Sequence, residues 1–96
     1  MKFNLVTKVG NINIYDIIVN NDSIGSIEIE EGCNEHYIEN IHFQQIHRGK
    51  GYLKDVLNRF NDKPLKCLPL REHRPKFEHL GFKVCDVEGE DIHYIR

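Results

Sequence analysis

The sequence contains no alanine and no tryptophan, and its 96 residues include only one threonine and two serines. The Gly-x-Ser-x-Gly turn of many hydrolases and the Walker phosphate loop, which ends in Ser or Thr, are both absent, which excludes those two enzyme classes. Isoleucine and valine, by contrast, number twelve and six. Because β-branched residues suit strands better than helices, this composition indicates a sheet-based fold rather than a helical bundle.

Cysteine is also sparse. Cys33, Cys67 and Cys85 are an odd number without C-x-x-C spacing, which favours reduced thiols over a disulfide framework and predicts no metal site. No run approaches the ~18 apolar residues of a membrane span, and the N-terminal stretch lacks the apolar segment of a signal peptide. We therefore expect one cytoplasmic domain over residues 1–96, with no membrane partner.

Charge is distributed unevenly along the chain. Residues 1–46 contain two Lys or Arg and seven Asp or Glu, whereas residues 47–83 contain ten and four. An anionic ligand is expected to bind the second segment, and a cationic one the first. The formal net charge of -2 disfavours a nucleic-acid-binding domain, which is usually strongly basic.

Alternating apolar residues and turn signals predict four strands in the first half, over residues 3–9, 11–19, 23–31 and 35–43. The change of parity between Ile14 and Ile17 indicates either a bulge or a strand covered on both faces. In the fourth strand, alternation predicts two faces. One face carries Tyr37, Glu39, Ile41 and Phe43, and the other carries His36, Ile38, Asn40 and His42.

The second half begins with apolar residues at helical spacing, which predict an amphipathic helix over 49–61. Residues 65–70 are predicted to form a fifth strand, and a short helix with Pro75 in its first turn is predicted to end at Gly81. Residues 82–87 and 92–95 form a final hairpin. The fold class is α+β, with a mixed, mostly antiparallel sheet and the order β-β-β-β-α-β-α-β-β.

A Gly-x-Gly sequence stands where the fourth strand turns into the first helix. The first N–H groups of a helix have no internal partners, and glycine lets an anion approach them without a Cβ in the way. Arg48 and Lys50 add positive charge beside Gly49 and Gly51, and we expect His47 to meet a ligand phosphate. The dinucleotide fingerprint is not matched, because a lysine stands at the position of its third glycine.

The run IHFQQIHRGKGYLKDVL, residues 41–57, resembles the acetyl-CoA motif of the GNAT-type N-acetyltransferase superfamily, Gln/Arg-x-x-Gly-x-Gly/Ala. Arg48, Gly49, Lys50 and Gly51 match, but Leu53 replaces the last small residue. A second segment, RPKFEHLGFKV, resembles the later helix of that superfamily, which typically ends Tyr-Glu-Lys-Leu-Gly-Phe. The resemblance covers about residues 11–95 and implies a GNAT-like fold.

The resemblance implies that acetyl-CoA is a cosubstrate. Its pantetheine arm would lie along the fourth strand, at Ile41, His42 and Phe43. Its pyrophosphate would be held by backbone N–H groups of the turn and first helix, at Arg48, Gly49, Lys50, Gly51, Tyr52 and Leu53.

Acetyl transfer to an amine needs a base for the nucleophile and an acid for the leaving thiolate. A carboxylate on the fourth strand commonly serves the family as base. Glu39 is our candidate, because the predicted alternation places it on one face with Ile41 and Phe43; Glu35 and Glu28 are weaker candidates. The alternative is that Glu39 is only a solvated edge residue.

The family's usual tyrosine acid falls on Phe77, which cannot donate a proton. Tyr52 and Tyr94 are potential substitutes, although nothing in their spacing selects either. Cys67 could act as a nucleophile if neighbouring basic groups lowered its pKa, but a buried small hydrophobe is the commoner role of such a cysteine.

The sequence thus predicts an N-acetyltransferase acting on a cationic amine, either a small molecule or a protein lysine or N-terminus. The alternative is a non-catalytic CoA-binding or protein-interaction module. Relatives have helices between their first two strands that cover the acceptor site, and here no space remains for them. Such a chain would take a large or exposed acceptor, borrow a wall from a second subunit in a homodimer, or no longer catalyse.

Overall fold

The computed structural model describes residues 1–96 as one seven-stranded sheet with two α-helices. The elements are β1 (Lys2–Val9), β2 (Ile12–Val19), β3 (Asp22–Glu31), β4 (His36–Phe43), α1 (Tyr52–Arg59), β5 (Leu65–Cys67), α2 (Arg74–His79), β6 (Lys83–Glu88) and β7 (Asp91–Ile95). The sheet order is β1-β2-β3-β4-β5-β7-β6, and only β4 and β5 are parallel. The predicted fold class and element order are confirmed. Neither helix has the length and hydrophobicity to cross a membrane.

Tight turns join the first three strands. Gly10 and Asn11 connect β1 to β2, and Asn20 and Asn21, both with positive φ, connect β2 to β3. Asparagine and glycine tolerate this left-handed backbone better than other residues. As expected from the sequence, no helix lies between β1 and β2.

The core lies on one face of the sheet. Residues opposite each other on paired strands share a face, as Ile17 does with Gly25 and Cys67 with Tyr94. The buried strand residues lie on this face, and α1 adds Val56 and Leu57 to the same hydrophobic cluster. The other face carries half-buried isoleucines and several charged side chains, and none of its residues is buried. That face has no helical cover.

A β-bulge in β4 changes which side chains face the core. The pairing of β3 with β4 skips Glu39, so the alternation of side chains reverses at that residue. The prediction of unbroken alternation along this strand is therefore wrong, because a bulge inserts one residue that the period-two pattern does not reveal. Four residues of β4 share the core face: His36, Ile38, Ile41 and Phe43.

Two predicted element bounds are corrected. The first helix begins at Tyr52 rather than near residue 49, because Gly49 and Gly51 have positive φ. The fifth strand ends at Cys67 rather than Leu70, and Pro69 beyond it has no N–H to donate to a ladder. The parity change in β2 arises because this strand carries apolar residues on both faces. The bulges near it belong to the neighbouring strands, β1 and β3.

The end of α2 matches the prediction. Gly81 has a φ of +96°, and its N–H donates to the carbonyl oxygen of Glu78. The N–H of Phe82 donates to the carbonyl oxygen of Phe77. This paired arrangement is the Schellman motif, in which glycine supplies the left-handed residue that ends the helix.

Candidate functional site

The chain turns from β4 into α1 around two glycines. A 3-10 turn, Gln45–His47, precedes Arg48, which is extended, and Gly49 and Gly51 have φ values of +76° and +79°. This backbone conformation costs other residues about 1–2 kcal/mol. A Cβ added at either glycine would meet no atom within 4 Å. Open space therefore surrounds the backbone where α1 begins, and the helix dipole favours an anion there.

A groove runs from this turn along β4. It consists of three adjoining cavities of about 220, 250 and 360 Å³, which we call the turn, middle and split cavities. The turn and middle cavities share Phe43, Arg48, Leu53 and Lys76. The middle and split cavities share Ile41, His73 and Phe77. Because neighbouring cavities share lining residues, they adjoin one another, and we call the three together the main groove.

The split cavity lies where the sheet divides. β4 and β5 pair only from His36 to Ile38 on one strand and from Leu65 to Cys67 on the other. Beyond this point β4 continues to Phe43, whereas β5 has ended. The main chain of residues 39–43 therefore has no partner strand on that side. Free N–H and C=O groups at such an edge can bind an extended ligand as an added strand would.

The main groove collects most of the predicted acetyl-CoA residues. It is lined by Ile41, His42, Phe43, Arg48, Gly49, Gly51, Tyr52 and Leu53, whereas Lys50 is exposed and lies outside it. Nε of Arg48 donates to the carbonyl oxygen of Phe43 at 3.0 Å, which holds this side chain back against the end of β4. Leu53, the departure from the family motif, is half-buried: it packs against the core and also lines the turn and middle cavities.

The second helix contributes three groove residues that the sequence reasoning missed. His73 precedes α2 and lines the middle and split cavities, Lys76 lines the middle and turn cavities, and His79 lines the turn cavity. Lys76 and His79 are three residues apart and therefore lie next to each other on α2, and that spacing is the signal that could have identified these two. Lys76 and His79, together with Arg48 and Lys54, make the turn cavity the more basic end of the groove.

Among the candidate bases, only Glu39 lines the groove. It occupies the bulge and borders the split cavity with Cys67 and His73. Glu28 lies outside, where its Oε2 accepts a hydrogen bond from Nδ2 of Asn40 at 3.1 Å. Glu35 is exposed in the loop before β4 and is also outside the groove.

Of the aromatic residues considered for the position of the proton donor, some line the groove and one does not. Phe77 lines the middle and split cavities, with its ring against that of Phe82 at a centroid distance of 5.2 Å. Tyr52 lines the turn cavity, and its ring centroid is 6.4 Å from that of His47. Tyr94 is buried on β7 and does not line the groove. The structure contains no group of three or more His, Cys, Asp or Glu side chains that could hold a metal ion.

Cys67 is unsuited to act as a nucleophile. Burial, together with the nearby Cys85, raises the pKa of its thiol to about 12. A thiol needs a lowered pKa to supply thiolate at neutral pH, so the nucleophile interpretation is wrong. Cys67 instead belongs to the hydrophobic core.

The three cysteines should differ sharply in reactivity. Cys33 and Cys85 are exposed and Cys67 is buried. We expect Ellman's reagent at pH 8 to titrate two thiols per chain quickly, and the third only after unfolding in guanidinium chloride. The Cys67→Val variant should show two fast thiols in the native state and no additional thiol on denaturation. Three fast thiols in the native wild-type chain would contradict the placement of Cys67.

Comparison with known proteins gives a consistent fold but no close relative. No family model matches the sequence, and no curated protein matches it. An acetyltransferase from Thermus thermophilus superposes with a TM-score of 0.75 and 15% sequence identity, over 90% of this chain and 64% of the other.

Two further solved structures agree. A GNAT family acetyltransferase from Elizabethkingia anophelis with acetyl-CoA bound gives a TM-score of 0.68 at 16% identity, over 88% of this chain and 75% of that one. Tetrahymena GCN5 gives a TM-score of 0.71 at 16% identity, over 90% of this chain and 69% of that one. The shared feature is the fold, and this chain spans about two thirds of the length of these structures.

Proposed function

The chain has the fold of the GNAT acetyltransferases, and from that premise we propose that it is an acetyl-CoA-dependent N-acetyltransferase that acts on a cationic amine. The observation that carries the proposal is the main groove. A glycine turn at a helix start stands at one end of it and a divided sheet at the other. A fold alone does not define an activity, so the proposal depends on these groups.

The turn cavity fits the phosphates of acetyl-CoA. Gly49 and Gly51 leave the start of α1 open to an anion, and Arg48, Lys54 and Lys76 line the same cavity. Charge-assisted hydrogen bonds from such groups are about twice as strong as neutral ones. We propose that these residues hold the pyrophosphate.

The rest of the groove fits the extended arm of the cosubstrate. The unpaired edge of β4 at residues 39–43 offers backbone groups to a pantetheine amide, and Ile41, Phe43 and Phe77 offer apolar contacts. We propose that the thioester then lies in the split cavity, near Glu39. Acetyl-CoA supplies an acetyl group already activated as a thioester, so the chain needs only to position the amine and manage two protons.

We propose that Glu39 binds the ammonium form of the acceptor and removes its proton. Its position in the split cavity and the acidic character of residues 1–46 support a cationic acceptor. The sheet face without helical cover has no buried residues, so it is accessible to a large molecule that carries the amine, such as a protein with a lysine.

Replacing Glu39 by glutamine should lower kcat/KM for spermidine about 100-fold, because the base and the counter-ion are both lost. Glu35→Gln removes the same charge outside the groove, so it should change kcat/KM less than two-fold. The measurement is steady-state release of CoA thiol at several spermidine concentrations. Equal losses in the two variants would contradict the role of Glu39.

The experiment for the function itself is thiol release from acetyl-CoA with spermidine, with an N-terminally blocked lysine peptide and without an amine. Amine-dependent release supports the transferase. A second candidate is a CoA-binding module without catalysis, which is favoured by Phe77 in the place of the family's tyrosine. If acetyl-CoA binds but no CoA thiol is released in the presence of either amine, the binding module is the correct candidate.

A further inference from the structure

One histidine stands at the centre of the main groove. His73 is the last residue of a 3-10 turn, Arg71–His73, that leads into α2, and its side chain is exposed. It lines both the middle and split cavities, together with Ile41 and Phe77. Phe77 is one helical turn further on, so residues 73 and 77 border the same part of the groove.

The groove needs a proton donor that Phe77 cannot provide. Cys67 lines the split cavity, but a thiol with a pKa of about 12 is a weaker acid than an ordinary thiol, whose pKa is about 8.5. Tyr52 lines only the turn cavity and Tyr94 lines none of the three. Imidazole is the side chain whose ordinary titration range lies closest to neutrality, and it is the commonest general acid in enzymes.

We propose, on the basis of the acetyltransferase function above, that His73 is the general acid of this chain and takes the place of the tyrosine that Phe77 has replaced. His73 and Glu39 of β4 both line the split cavity, and they belong to different elements. The proton donor and the base would then approach the thioester from two different elements.

The proton balance closes without another reactant. The amine nitrogen forms a bond to the acetyl carbonyl carbon, the carbon–sulfur bond breaks, and its electron pair leaves with sulfur. The imidazolium of His73 gives its proton to that sulfur and becomes neutral. An acceptor that binds as an ammonium loses two protons from its nitrogen. Glu39 accepts the first before the attack and the second after it, and releases each to solvent. His73 is reprotonated from solvent, so one proton is released overall. The products are the N-acetylated amine and the free thiol of CoA.

The surroundings of His73 contain charges of both signs. It lines the split cavity together with Glu39 of β4 and Cys67 of β5, and the middle cavity together with His42, Arg48 and Lys76. His42 is paired with Ser26, on the sheet face away from the core.

The test compares pH profiles of kcat with acetyl-CoA and spermidine, both saturating. His73→Asn should lower kcat about 100-fold, the lower end of the general-acid range, because a thiolate is a good leaving group. It should also remove the alkaline fall in kcat that deprotonation of the acid causes. His42→Asn should retain that fall. The rise in melting temperature with acetyl-CoA should be the same in His73→Asn as in the wild-type chain.

A rescue experiment separates a chemical role from a structural one. Phe77→Tyr restores the hydroxyl of the family pattern, so the His73→Asn/Phe77→Tyr double variant should regain at least ten-fold of the lost kcat. If the wild-type chain releases thiol and His73→Asn has the same pH profile of kcat, only the assignment of His73 is overturned. Absence of thiol release from the wild-type chain with every amine would overturn both the assignment and the transferase.

Discussion

Replacing Gly51 by glutamate should weaken the binding of acetyl-CoA at least about 100-fold, which is a loss of about 2.8 kcal/mol. Gly51 has a φ of +79° at the start of α1, and a side chain there lowers the stability of the fold by about 1–2 kcal/mol with or without ligand. The loss of affinity has a separate cause. The open space that a Cβ would enter is the space that we assign to the pyrophosphate, and a carboxylate would repel it. The measurement is isothermal titration with acetyl-CoA.

Gly89→Glu is the matched control for this variant. Gly89 also has a positive φ, +63°, and a Cβ there would also meet no atom within 4 Å. The residue lies in the turn between β6 and β7 and lines none of the groove cavities. Its backbone strain is therefore similar, and its acetyl-CoA affinity should equal that of the wild-type chain. Equal losses at both glycines would mean that strain, not the phosphate position, explains the effect of Gly51→Glu.

Gly25→Ala should destabilise the fold by about 2–3 kcal/mol, in the range seen for overpacked cores. Gly25 is buried in β3 opposite Phe43, and an added Cβ would overlap the carbonyl oxygen of His42. That atom belongs to the backbone, so the end of β4 must move. A loss of this size lowers the melting temperature of a small domain by about 10–20 °C.

The same displacement should weaken acetyl-CoA binding, because His42 and Phe43 line the middle cavity. Ser26→Ala, at the next position of β3 and on the uncovered face, is the control, and we expect its melting temperature to change by less than about 3 °C. Urea unfolding gives the free energies. A Gly25→Ala chain as stable as the Ser26→Ala chain would show that β3 and β4 are not in this close contact.

The sequence was sufficient for the order of elements, since each strand and helix has a local pattern of its own. The glycine turn was also readable, because a left-handed backbone at a helix start restricts the residue type. Three other features could not be predicted from the sequence, because they depend on long-range contacts. The bulge at Glu39 is defined by pairing with β3, the early end of β5 by the divergence of two strands, and the approach of α2 to β4 by packing.

The bulge has the largest consequence for the site. Continuous alternation predicted one face for Glu39, Ile41 and Phe43, yet the bulge places Glu39 at the edge of the split cavity while Ile41 and Phe43 join the core face. The choice of Glu39 as candidate base therefore stands on its position in the groove rather than on the alternation that first suggested it. His73 had no such pattern, because a single histidine before a short helix carries little sequence signal.

The central claim is that the main groove binds acetyl-CoA, and thermal melting of the wild-type chain tests it most directly. Acetyl-CoA at 100 times its Kd should add about 2.7 kcal/mol to the free energy of unfolding. For a domain of this size that is a rise of about 10–20 °C in melting temperature. The Gly51→Glu chain, which should bind at least 100-fold more weakly, should rise by no more than about 3 °C. An unchanged melting temperature of the wild-type chain with both acetyl-CoA and CoA, or an equal rise in Gly51→Glu, would contradict the account.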